Sequence, residues 1–142
     1  MTRIDFYTHV NDRLGIVCQL VAKAYGLGQK VVVFTAGPGQ TAELDERLWT
    51  YAQLSFVPHC RSASALAGET PVIIDHEIKQ FPHLDVLINL QAEPPPFFAR
   101  FERLIEVVDT DPTVAAAARN RFRHYRDSGY AVQSHNLSHL GG

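Results

Sequence analysis

Four residues near the C-terminus have the types and spacing to bind an anion that carries an apolar group. Arg119, Phe122, Arg123 and Arg126 lie in the stretch V-A-A-A-A-R-N-R-F-R-H-Y-R-D-S-G-Y, residues 114–130. In a helix, neighbours three and four apart share a face, so all four would stand together. Guanidinium groups bind carboxylates and phosphates through paired, charge-assisted hydrogen bonds. An aromatic ring among them offers a surface to an apolar end group. The plainer alternative is a solvated basic face that favours the negative end of the helix dipole, and by spacing alone it carries slightly more weight. Arg121 falls on a different face, so Arg121→Ala is expected to do little.

The helix itself is well signalled. Asp111 can cap it, and Pro112 suits the first helical position. A run of alanines supplies strong helix formers, and Ser128-Gly129 offers a left-handed stop.

Other stretches with chemical potential are weaker. Gly37-Pro38-Gly39-Gln40-Thr41-Ala42 fits the dinucleotide-binding glycine pattern between a strand and a helix. It follows the second expected strand instead of the first, and no acidic residue stands where a ribose partner belongs. It also lacks the Lys and Ser/Thr ending of a phosphate-binding loop. A glycine-rich turn into a helix is therefore favoured. His59-Cys60 has no second ligand pair to complete a zinc site. His135 and His139 have helical ligand spacing but no accompanying glutamate. Asp109 and Asp111 sit at a strand end, and Asp111 is already used as a cap. Neither a metal nor a cofactor is expected, and no catalytic set is assigned.

With 142 residues and a net charge of −2, the chain fits one domain and does not suit broad coating of nucleic acid. Four of the 13 basic residues fall between Arg119 and Arg126, a local patch suited to an acidic peptide or a short phosphate track. Two cysteines do not make a disulfide framework. No signal peptide or membrane-spanning run is read, so a cytoplasmic protein is expected.

The elements that would position these residues alternate. Arg3–His9 reads as a strand, and a helix follows to about Leu27 with Leu14, Val17, Cys18, Val21 and Tyr25 as its apolar stripe. Cys18 is thus a core residue. Lys30–Thr35 is a β-branched run of the kind buried on both faces of a parallel sheet. A helix is expected over 41–51, with Trp49 beside its apolar stripe, then an extended piece through Phe56 to His59. Trp49 and Phe56 are either core or interface anchors. Val72–Ile74, Val86–Leu90 and Leu104–Asp109 read as inner strands. Pro94–Arg103, with its opening prolines, is expected to be helical. The alternation predicts a three-layer α/β/α, Rossmann-like fold with a mainly parallel sheet and helices on both faces. Residues 134–142 are a candidate disordered tail.

Several blocks resemble the chi subunit of bacterial DNA polymerase III holoenzyme, an accessory protein of the clamp loader. They are L-D-E-x-L-W with S-F-V-P-H, the opening F-Y, T-P-V-I-I, D-V-L-I-N-L, F-x-R-F-E-R-L-I-E-V-V-D and A-R-x-R-F-R-x-Y-R-x-x-G-Y. They run in order over nearly the whole chain. The loop 61–69 and the tail 134–142 depart from the pattern. The resemblance implies a non-catalytic adaptor. It implies that Arg119, Phe122, Arg123 and Arg126 bind the acidic C-terminal tail of single-stranded DNA-binding protein, the tail's last phenylalanine entering a pocket beside Phe122. It also implies that Trp49 and Phe56 face the psi subunit, with an accessory helicase as a further candidate partner. Two rivals remain: a nucleotide-binding enzyme using Gly37–Ala42, and a module that binds nucleic acid directly.

Overall fold

The computed structural model describes residues 1–51 and 57–138. The strands are β1 (Arg3–Val10), β2 (Val31–Phe34), β3 (His59–Cys60), β4 (Val72–Asp75), β5 (Val86–Asn89), β6 (Arg103–Asp109) and β7 (Val132–Asn136). The helices are α1 (Arg13–Gly26), α2 (Pro38–Thr50) and α3 (Pro112–Asp127). The strands form one sheet in the order β3-β4-β2-β5-β6-β1-β7, and every strand pair is parallel. This is the expected α/β class with helices on both faces, though the strand order differs from the dinucleotide-binding arrangement.

The direction of chain travel explains the layers. From β1 the chain crosses to β2 and on to β3, and α1 and α2 cover one face. From β5 it runs the opposite way through β6 to β7, and α3 covers the other. Right-handed crossovers taken in opposite directions place their helices on opposite faces. Two apolar clusters result. One joins Leu14, Val17, Cys18 and Val21 of α1 and Leu44 and Leu48 of α2 to Val31, Val33, Ile105 and Val107. The other joins Ala118 and Tyr125 of α3 to Ile4, Phe6, Leu104 and Val108. β2 is buried along its whole length, as its continuous apolar run requires.

Four expectations change. Tyr25 is 39% exposed, and Ala24 takes the inward place; both spacings continue the stripe, and the packing selects one. Pro94–Arg103 contains only a single 3-10 turn, Phe98–Arg100, in place of a helix. Three successive prolines suppress helix beyond a first turn, and the phenylalanines leave in different directions. Phe97 packs on Phe34 and Phe81, while Phe98 packs on Tyr125 and Tyr130. The glycine-proline turn is shorter than expected, because α2 already begins at Pro38 with Gly37 as its cap. Ser134, His135 and Asn136, in the stretch read as a candidate disordered tail, form part of β7, which pairs with β1 at the sheet edge.

Cys18 is buried, and burial pushes its thiol up to about 11. Only the thiolate attacks alkylating reagents. In the native protein at neutral pH, half-buried Cys60 should label first and Cys18 only on unfolding. Mass spectrometry of iodoacetamide-treated protein with and without urea checks this; equal native labelling would contradict the placement of Cys18.

Candidate functional site

The α3 helix is built as its sequence suggests. The Asp111 carboxylate accepts from the backbone N–H groups of Thr113 (2.8 Å) and Val114 (3.3 Å), and Pro112 opens the helix. Arg119, Arg123 and Arg126 are exposed, and Phe122 between them is half-buried. The ring of Phe122 meets Phe6 of β1 edge-on, with centroids 5.3 Å apart.

Beside this contact lies a cavity of about 380 Å³, within the range of ligand sites. Phe122, Arg119 and Ala118 of α3 form one wall, Phe6, Thr8 and His9 of β1 another, and Asp109 and Ser134 complete its rim. Arg119 and Phe122 therefore share a cavity. Arg123 and Arg126 do not reach it; they extend the same exposed face toward the helix C-terminus. Arg126 lies 3.4 Å from Asp127, and both side chains are more than half exposed, so that pairing adds little. Thr8, His9 and Ser134 are not readable as site residues, since the pairing of β1 with both β6 and β7 brings them to α3. His9 has a left-handed backbone, φ 60°, where the register of β1 against β6 shifts, and that irregularity places it at the mouth.

Arg121 needs the main correction. It does point away from Arg119 and Arg123, but its face is the core and not solvent. Arg121 is 2% exposed and its Nη2 lies 3.1 Å from Oε1 of Glu106, itself fully buried. Arg121 Nη1 donates to the carbonyl of Ala92 at 2.9 Å. Tyr125 donates its hydroxyl to Glu106 Oε2 at 2.7 Å, and Asn89 Nδ2 donates to the same oxygen at 3.0 Å. Burial pushes the Glu106 carboxyl above its usual range, opposed by Arg121, Tyr125 and Asn89. Burial and the neighbouring Glu106 hold the Tyr125 phenol well above its own. Every partner of Glu106 is a donor, so the ionised carboxylate is the form that this network satisfies. A glutamate inside the apolar run L-I-E-V-V was the available signal for it.

Of the second pair of candidates, Trp49 is 56% exposed on α2 and meets His59 edge-on at 5.0 Å. Phe56 lies outside the described residues. Tyr51 nearby is 41% exposed. α2 packs on β3 and β4, whereas α3 packs on β6 and β7. The two candidate surfaces thus occupy opposite layers and opposite ends of the sheet.

The glycine turn offers little to a phosphate. The N–H of Ala36 is taken by Gln40 Oε1 at 2.7 Å, Thr41 donates back to the carbonyl of Gly37, and Pro38 has no N–H. Among the described residues no cluster of three or more His, Cys, Asp or Glu could hold a metal ion, and no helix is long and apolar enough to cross a membrane.

Residues 1–133 match the family model described as "DNA polymerase III chi subunit, HolC". The chain belongs to this chi family. It is 38% identical to the DNA polymerase III subunit chi of Pseudomonas aeruginosa, over 99% of this chain and 100% of that protein. It is 35% identical to the chi subunit of Haemophilus influenzae over 86% of this chain and 85% of the relative. Against the Escherichia coli chi subunit identity is 29%, over 84% and 82% of the two chains. A chi-family chain is a subunit of the DNA replication machinery. The cavity at Phe122 and the exposed Trp49 are thus surfaces of a replication subunit.

Proposed function

We propose that this chain is a non-catalytic adaptor that holds the acidic C-terminal tail of single-stranded DNA-binding protein on α3 and links it to the clamp loader through the Trp49 surface. The observation that carries this reading is the shared cavity of Arg119 and Phe122 on an otherwise exposed arginine face. An apolar hole beside a guanidinium suits a chain end that presents a ring next to its own carboxylate. The terminal phenylalanine enters beside Phe122, its carboxylate meets Arg119, and the preceding acidic residues run along Arg123 and Arg126.

Two partners bound at once require two separated surfaces, and the opposite placement of α2 and α3 supplies them. Fluorescence anisotropy with a labelled tail peptide tests the first contact. Binding to naked single-stranded DNA with no binding to the peptide would replace the reading with direct nucleic-acid recognition. For the second contact, Trp49→Ala should weaken binding of a psi-like partner by about 2 kcal/mol, as loss of an aromatic anchor does, while leaving the peptide bound. Trp49 is largely exposed, so the variant should fold; co-purification of the partner at the wild-type level would remove Trp49 from the interface.

A further inference from the structure

We propose that the buried Glu106–Arg121 pair is a positioning device that sets the rotation of α3 and so holds Arg119 and Phe122 at the cavity. The inference rests on the reading of that cavity as the acidic-tail site. Val114, Ala118, Phe122 and Tyr125 turn one apolar stripe of this helix to the sheet, but its first half holds that stripe with small side chains. Residues 115–118 are all alanine, and so short a set of side chains makes fewer contacts to resist a rotation than larger ones would. On α3 only Ala118, Arg121 and Tyr125 are buried.

The polar contacts add a constraint at one defined point. Arg121 and Tyr125 stand one turn apart, and both reach the same carboxylate, at 3.1 and 2.7 Å. That carboxylate is held in turn by Asn89 of the neighbouring strand β5. Glu106 lies between Leu104 and Val108 on the face of β6 toward α3, at the centre of the cluster that the helix covers. An ion pair and a hydrogen bond from successive turns to one carboxylate oppose a rotation of the helix. Residues two apart on a helix differ by about 200°, so drawing Arg121 inward turns Arg119 and Arg123 outward. Phe122, next to Arg121, is swung against Phe6.

A role in stability alone explains the pair less well. Desolvating two charges costs about as much as their attraction returns, and buried pairs are best attested as devices of register. The Nε and Nη2 of Arg121 are both buried with no hydrogen-bond partner among the described residues, Nη2 meeting Glu106 as an ion pair, so compensation here is incomplete.

The test removes both charges together. The double variant Glu106→Leu with Arg121→Met leaves no charge behind but takes the acceptor from Tyr125 and Asn89, so it should stay folded and melt below the wild type yet above Arg121→Ala. It should bind the labelled tail peptide about tenfold more weakly, equivalent to about 1.4 kcal/mol. The nuclear Overhauser contacts between the rings of Phe6 and Phe122 should weaken or disappear with it. Wild-type affinity and unchanged ring contacts in a folded double variant would overturn the proposal. If that variant does not fold, Tyr125→Phe, which keeps the ring and removes one tether, carries the test: a several-fold loss of affinity is expected, and wild-type affinity overturns it. Failure of the wild-type protein to bind the peptide would instead refute the tail-site reading, and the Phe6–Phe122 contacts would still decide the positioning role.

Discussion

Arg121→Ala is expected to destabilise the protein by about 3–5 kcal/mol, the cost of stranding one partner of a buried ion pair. Glu106 is fully buried; without the guanidinium its ionised form has lost its counter-charge, and its neutral form loses the value of hydrogen bonds from Asn89 and Tyr125. The truncated side chain also leaves a void beside Ala92 and Ala117. Domains of this kind are stable by roughly 5–15 kcal/mol, so the loss is about a fifth of the total at the least. Urea unfolding followed by circular dichroism measures it. Arg119→Ala and Arg123→Ala, on the exposed face, should stay within about 0.5 kcal/mol of wild type. A loss below about 1 kcal/mol for Arg121→Ala would show that Glu106 is neutralised or hydrated in another way. The double substitution at this pair should therefore cost less than the single one, because only the single one leaves a charge behind.

Arg119→Ala is expected to weaken binding of the acidic tail peptide by about 1–3 kcal/mol, the usual worth of hydrogen bonds to a charged group. Arg119 is the one member of the arginine face that borders the cavity, so its contact with a terminal carboxylate is partly shielded from water. Arg123 and Arg126 lie on open surface, where attraction is screened over about 8–10 Å at physiological salt. Their alanine variants should lose less, and that loss should shrink as salt rises while the Arg119 loss persists. Deleting the peptide's terminal phenylalanine should cost as much as Arg119→Ala, since burying an aromatic ring contributes about 1.5–3 kcal/mol that salt does not screen. Lys23→Ala, exposed on α1 in the opposite layer, is the control and should change nothing; Arg121 cannot serve as one because its side chain is buried against Glu106. Equal losses for Arg119, Arg123 and Lys23 variants in anisotropy titrations would reduce the site to a diffuse charge effect.

The sequence by itself determined the elements whose signals are local. Val31–Phe34 is a buried strand because a run of β-branched and aromatic residues suits a sheet covered on both sides. Helix α3 starts where an Asp-Pro pair can cap it, and helical spacing alone put Arg119, Phe122, Arg123 and Arg126 on one face. The alternation of strands and helices was sufficient for a mainly parallel sheet with two helical layers. The block pattern was sufficient for the chi family.

The tertiary structure alone decided everything that depends on partners far apart in the chain. Helical spacing shows that Arg121 differs in face from Arg119, but not which face is inside; Glu106, on another element, decides that. Tyr25 and Ala24 fit the stripe of α1 equally well until the sheet selects Ala24. The phenylalanines of 97–101 are drawn to Phe34, Phe81 and Tyr125, and no local propensity records that attraction. The cavity itself has walls from β1, β6, β7 and α3, joined by strand pairing between the chain's start and its last third. Such pairing is a contest among all strands for burial and hydrogen bonds, whose outcome no single stretch of residues contains.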